Sequence, residues 1–258
     1  MRDLHHSLLS IDSFLKNKPI SLLLDFDGTV SDFAPTPRKA KISPAAKRAL
    51  IKLRRTCPIV IISGRPLHTL KRKVGIGGIS YAGDHGLTWE IDSRKGGMPV
   101  PERYIQAISA IGRRVRPISR TYSGLLLEHK HTALTVHFRN VPPSLRPSVK
   151  KVITRAVHAV VEDSGLLITW TKVAVEFRPP IKWNKGDFAK LFLRTIARTF
   201  KHSFVPVYAG DEPSDEDAFK VMRKGITIRV GSRGKSAARF YTPRRYEIDE
   251  FLERLSLR

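Results

Sequence analysis

The chain has 258 residues, 41% of them hydrophobic and 27% charged, enough to bury a sizeable core in one or two domains and too apolar for a disordered chain. Lys and Arg number 47 against 23 Asp and Glu, a formal charge of +24, and the single cysteine, Cys57, excludes an intrachain disulfide. No apolar run approaches a membrane span or the core of a signal peptide, so the expectation is a soluble cytoplasmic protein with no membrane partner.

Leu4, Leu8, Ile11 and Leu15 recur at helical spacing among polar neighbours, which predicts a packed amphipathic helix. Ile20, Leu22, Leu23 and Leu24 read as a strand inside an α/β sheet, and it empties into Asp25-Phe26-Asp27-Gly28-Thr29. The sites of such sheets lie beyond the carboxyl ends of their strands. Two residues apart in extended backbone, Asp25 and Asp27 are expected to project to one side. With no Cys or His nearby, the pair suits a hard cation such as Mg2+, completed by waters and phosphate oxygens. A plain Asp-Gly turn and a calcium loop are the alternatives. Calcium fails on spacing: counted from Asp25, Gly28 falls at the fourth loop position, where the motif needs its glycine sixth, and the twelfth position is Thr36, which offers no bidentate carboxylate.

Pro58-Ile59-Val60-Ile61-Ile62 predicts a further buried strand ending at Ser63-Gly64-Arg65, where a hydroxyl and a guanidinium could meet a phosphoryl group. From about 101 to 181 the pattern changes. A helix (Ile105, Ile108, Ile111, Val115), strands Leu125 to Glu128 and Ala133 to Phe138, a second helix (Val149, Val152, Ile153, Ala156, Val160) and strands Leu166 to Trp170 and Val173 to Phe177 form an αββαββ unit. Antiparallel strands between α/β halves predict a separate small domain, with Pro179-Pro180 marking the return of the chain. His137 and the His129/His131 pair read as alternating strand residues, since zinc would want a third partner at suitable spacing.

Trp183-Asn184-Lys185-Gly186-Asp187 precedes the amphipathic run Phe188, Leu191, Phe192, Ile196, and a lysine there could supply a fixed positive charge for a phosphate. Phe204, Val205, Val207 and Tyr208 predict another strand. It ends at Gly210-Asp211-Glu212-Pro213-Ser214-Asp215-Glu216-Asp217-Ala218-Phe219, which places five acids within seven residues of a basic chain. Glu216 and Asp217 suit a helix start. Asp211 is the candidate for a cation shared with Asp25.

An acid pair, a small hydroxyl, a lysine and an acidic cluster, each at an element boundary and in this order, resemble the four motifs of the haloacid dehalogenase superfamily of phosphohydrolases. Within it the chain resembles the trehalose-phosphate phosphatases from about residue 20 to 231. The resemblance rests on the Asp25 motif, Ser63-Gly64-Arg65, Tyr81-Ala82-Gly83-Asp84-His85-Gly86, Val136-His137-Phe138-Arg139, Glu176-Phe177-Arg178-Pro179, Trp183-Asn184-Lys185-Gly186 and Gly210 to Phe219. Val30, Glu212 and Ser214 depart from residues usual in the family. The resemblance implies an α/β fold: a Rossmann-like core of mostly parallel sheet, residues 1–100 and 182–258, with an inserted α+β cap over 101–181. It also implies hydrolysis of trehalose 6-phosphate with Mg2+. Asp25 would be the nucleophile and Asp27 the general acid and base, aided by Ser63 and Lys185. Asp25, Asp27 and Asp211 would hold the metal, backed by Glu212 and Asp215. Arg65, His85, Gly86, Glu128, Lys130, Arg139, Lys172 and Glu176 would bind the substrate.

Three readings follow. The leading one is a trehalose-phosphatase, with a functional link to a separate trehalose-phosphate synthase. The second keeps the chemistry and changes the sugar phosphate to glucosylglycerol phosphate, mannosylglycerate phosphate or sucrose phosphate, or passes the phosphoryl group on as a mutase does. The third is a non-catalytic basic binding protein on this scaffold, against which both Asp25 and Asp27 argue. The charge of +24 exceeds what an anionic substrate needs. Its spread from Arg38 to Arg245, without a nucleic-acid motif, favours a basic host proteome, with adventitious adhesion to nucleic acid at low salt.

Overall fold

A computed structural model describes residues 1–32, 34, 39–130 and 132–258; Thr36, Arg38 and His131 lie outside them. The chain forms two compact units, Met1–Gly97 with Trp183–Arg258, and Met98–Lys182.

The first unit opens with β1 (Arg2–Asp3), α1 (Leu4–Leu15), β2 (Ile20–Asp25), α2 (Pro44–Leu53), β3 (Ile59–Ile62), α3 (Leu67–Val74), β4 (Ser80–Gly83), β5 (Thr88–Ile91) and β6 (Arg94–Gly97). Asp3 caps α1 by accepting from His6 N, and Ser43 caps α2 by accepting from Ala46 N with Pro44 beside it, so side chains satisfy amides the first turns leave open.

The second unit contains α4 (Glu102–Thr121), β7 (Leu126–His129), β8 (Leu134–His137), α5 (Arg146–Ser164), β9 (Leu167–Trp170) and β10 (Ala174–Arg178). Its strands pair antiparallel in the order β7-β8-β10-β9. Ile111, Val115, Val149 and Ile153 from the helices pack with Leu134, Val136, Val175 and Phe177 from alternate strand positions. One face of this sheet is therefore a hydrophobic core, and the alternate residues Glu128, Thr135, His137 and Glu176 stand on the other face.

The first unit resumes with α6 (Lys185–Phe200), β11 (Val205–Gly210), α7 (Asp215–Val221), β12 (Ile226–Val230), β13 (Phe240–Thr242) and α8 (Tyr246–Leu255). Its sheet runs β1-β13-β12-β11-β2-β3-β4-β5-β6, parallel as far as β4 and antiparallel at β5 and β6. Burial on both faces explains the continuous apolar runs of the central strands. Leu22, Leu24, Ile59, Ile61, Val207 and Ala209 enter the core with α1, α2 and α8, whereas Leu23, Val60, Ile62 and Tyr208 enter a second core with α6 and α7. The central strands β2, β3 and β11 all point their carboxyl ends the same way, so Asp25, Ser63 and Asp211 gather at one edge. Among the described residues, no helix is long and apolar enough to cross a membrane.

Candidate active site

β2 stops at Asp25, and Phe26 O accepts from Thr29 N, Val30 N and Ser31 N, a turn that Gly28 permits with φ +74°. The two acids have different partners in this structure. Asp25 is 1% exposed and its Oδ1 accepts from Lys185 Nζ at 2.7 Å. The Asp27 carboxylate instead takes Arg65, with Nε 2.6 Å from Oδ2 and NH2 2.5 Å from Oδ1.

Lys185 opens α6, where Asn184 accepts from the amides of Gly186 and Asp187 and so fixes the first turn. The lysine is 0% exposed and also donates to Asp215 Oδ1 at 2.8 Å. Burial would lower its pKa, but Asp215 and Asp25 outweigh burial and raise it well above the ordinary lysine value. Lys185 is thus a permanent buried cation between two carboxylates.

Asp25, Asp211 and Asp215 each offer a carboxylate oxygen, and these oxygens lie within 4.8 Å of one another. Their surroundings differ. Asp215 has three protein donors: Lys185 and the Tyr208 hydroxyl donate to Oδ1, the latter at 2.7 Å, and Glu212 N donates to Oδ2 at 2.9 Å. Gly210 allows this approach, since a Cβ there would stand 2.3 Å from Asp215 Cγ. Asp25 Oδ2 is buried without a hydrogen-bond partner, an arrangement costly for a carboxylate unless a cation meets it. Asp211 Oδ1 accepts from Thr29 Oγ1 at 3.2 Å. Burial, then Glu212 and Asp215, raise its carboxyl to about 7, and burial chiefly raises Asp25 well above the carboxylate range against the pull of Lys185. Clustered hard oxygens, one of them orphaned, are a donor set that fits a divalent cation. Asp25, with its unpartnered Oδ2, and Asp211 are the residues of this set that could hold one. Asp215, expected behind them, anchors Lys185, and the Asp27 carboxylate, expected among the ligands, is held by Arg65.

Ser63 is 2% exposed, and its Oγ accepts from Arg65 N at 3.2 Å. Arg65, expected on the sugar, is committed to Asp27 in this structure. His85 and Gly86 follow β4 in left-handed backbone, φ +57° and +93°, and His85 N donates to Ser63 O at 2.9 Å, which ties the two loops together. Glu212 lies 3.5 Å from Lys185 through Oε2 and accepts from Ser214 Oγ.

In the second unit Lys130 Nζ meets Glu176 Oε1 at 2.7 Å, and His137 Nε2 meets Glu128 Oε2 at 2.8 Å. Arg139 and Lys172 are exposed. Sequence reasoning missed Tyr208, read only as an apolar strand residue, and Thr29; the hydroxyls of both were the available signal.

Residues 23–244 match the trehalose-phosphatase family. The chain is 32% identical to the trehalose-phosphate phosphatase of Mycobacterium avium over 247 residues, 92% of this chain and 62% of that protein. It is 32% identical to that of Mycobacterium tuberculosis over 259 residues, 95% of this chain and 63% of that protein. It therefore spans about three fifths of the length of these relatives. Its fold is shared with the C-terminal domain of C. albicans trehalose-6-phosphate phosphatase, with a TM-score of 0.81 at 20% identity over 99% of this chain and 98% of that one. It is shared also with a trehalose-6-phosphate phosphatase related protein, at a TM-score of 0.76 and 21% identity over 92% of this chain and 97% of that one. With the family's match running from the strand before Asp25 to beyond the Asp211 cluster, the chain belongs to the trehalose-phosphatase family.

Proposed function

We propose that this chain hydrolyses trehalose 6-phosphate to trehalose and phosphate, with Mg2+, through a phosphorylated Asp25. The observation that carries the reading is the orphaned Asp25 Oδ2 beside Asp211 and Lys185, at the carboxyl edge of a parallel sheet. The relatives named as trehalose-phosphate phosphatases support the substrate.

Asp25 attacks phosphorus, and the bond from phosphorus to the sugar oxygen breaks. Asp27 gives that oxygen a proton and then takes one from the water that attacks the phosphorylated Asp25, which releases phosphate and restores both acids; Arg65, which holds both carboxylate oxygens in this structure, frees one of them to carry that proton. Lys185 and Ser63 hold the phosphoryl oxygens, and Asp215 and Tyr208 keep Lys185 aimed at Asp25. Asp25 and Asp211 would hold Mg2+, which neutralises charge between an anionic nucleophile and an anionic phosphate. Glu128, Lys130, Glu176, Arg139 and Lys172 of the second unit suit recognition of sugar hydroxyls, from which carboxylates accept and to which lysines donate.

The test is phosphate release from trehalose 6-phosphate, sucrose phosphate, glucosylglycerol phosphate and mannosylglycerate phosphate. Preference for the first is expected, and equal turnover across the four defeats the assignment. Asp25→Asn is expected to abolish turnover, because an amide is a poor nucleophile and a weaker metal ligand.

A further inference from the structure

On the open face of the second unit's sheet, Thr135 of β8 stands directly between two acids: it is the register partner of Glu128 on β7 and of Glu176 on β10. Direct cross-strand neighbours on one face are about 4.5–5.5 Å apart at Cβ, so two like charges flank one hydroxyl. Each acid has a protein donor that fixes its rotamer. Thr135 Oγ1 donates to Glu176 Oε1 at 3.3 Å, the oxygen that also takes Lys130. His137, two residues along β8 and on the same face, meets Glu128 Oε2 diagonally at 2.8 Å. The ring and the carboxylate are each 28% exposed, so the pair is reachable by a ligand.

We infer that Thr135 and His137 are positioning residues for sugar recognition, with β8 the spine that holds Glu128 and Glu176 as fixed acceptors for substrate hydroxyls. The inference rests on the proposed function. A carboxylate has about four acceptor sites, so it can accept from a protein donor that sets its direction and from a sugar hydroxyl at once. An acid held in one rotamer also loses less entropy on binding than one that must be ordered. β8 suits this work because Leu134 and Val136, alternating with the two polar residues, are 0% exposed and lock the strand from the other side.

The test measures KM and kcat of the full chain for trehalose 6-phosphate and for p-nitrophenyl phosphate, which has the ester but no sugar, in His137→Ala, His137→Gln, Thr135→Val and Thr135→Ser. Loss of a hydrogen bond to a charged group predicts a roughly tenfold rise in KM for the sugar phosphate in His137→Ala and Thr135→Val. An unchanged kcat and unchanged p-nitrophenyl phosphate kinetics are expected, with recovery in His137→Gln and Thr135→Ser, which keep a donor. An unchanged KM in both disruptive variants, or equal losses on both substrates, overturns the inference and leaves the proposed function standing. A wild-type enzyme without preference for trehalose 6-phosphate sinks the function first and this assignment with it.

Discussion

Arg65 grips Asp27 with both arms, Nε and NH2 each meeting a different carboxylate oxygen at 2.6 and 2.5 Å. Arg65 is 8% exposed and its guanidinium lies over the Phe26 ring, so its place is set by packing as well as charge. A lysine supplies the charge without the planar fork. Arg65→Lys is expected to lower kcat roughly tenfold, the scale of losing one charge-assisted bond, on trehalose 6-phosphate and p-nitrophenyl phosphate alike. A defect confined to KM for the sugar substrate would return Arg65 to the sugar contact that the family resemblance implied.

Lys185 bonds Asp25 and Asp215 where neither carboxylate nor the lysine exceeds 2% side-chain exposure. Removing one partner of such a buried set leaves charge without compensation, whereas the intact set adds little net stability. Lys185→Met should therefore cost about 3–5 kcal/mol in urea unfolding of metal-free protein at neutral pH, besides abolishing turnover. A variant as stable as wild type would mean that the two acids take up protons in place of the lysine's charge.

Legibility followed the range of the forces involved. Leu22, Leu23 and Leu24 announced a strand buried on both faces, and Ile108, Ile111 and Val115 a helix, because local periodicity records which face is covered. The meeting of Asp25 with Asp211 followed from a rule about strand ends. The Asp27–Arg65 pair did not, although both residues were candidates, because it depends on the turn at Phe26 across 38 positions. The β5–β6 hairpin was silent: Arg94–Gly97 is exposed throughout, with no apolar alternation to betray an edge strand. Tyr208 showed its apolar ring to the sequence pattern, but its hydroxyl gains a role only when α7 brings Asp215 back beneath it.

The acid cluster makes stability and metal binding depend on pH in opposite directions. The Asp211 carboxyl moves from 3.8 to about 7 on folding. Between those values the folded chain keeps a proton that the unfolded chain has lost, so this group's stabilising contribution is full below 3.8, falls as pH rises and is gone above about 7. A cation needs the ionised carboxylate, so its stabilisation should grow over the same interval. Thermal melts in EDTA are expected to fall from pH 5 to pH 8, and the upward shift on adding Mg2+ to widen. Asp211→Asn should flatten both trends; a Mg2+ shift independent of pH would remove Asp211 from the ligand set.

Gly210 ends β11 against Asp215, and an added Cβ would lie 2.3 Å from Asp215 Cγ and 2.4 Å from its Oδ2. No rotamer change relieves this, because Lys185, Tyr208 and Glu212 N all hold that carboxylate in place. Gly210→Ala must therefore push Asp215 away and turn Lys185 from Asp25, at an overpacking cost of about 1–3 kcal/mol. Activity should fall much further than stability, since displacing a group around a reacting phosphate by about 1 Å can cost about a hundredfold in rate. Parallel urea melts and phosphate-release assays separate the two effects. A variant with normal turnover and a lowered midpoint would show that Asp215 does not aim Lys185, and that its bonds to the lysine serve the fold alone.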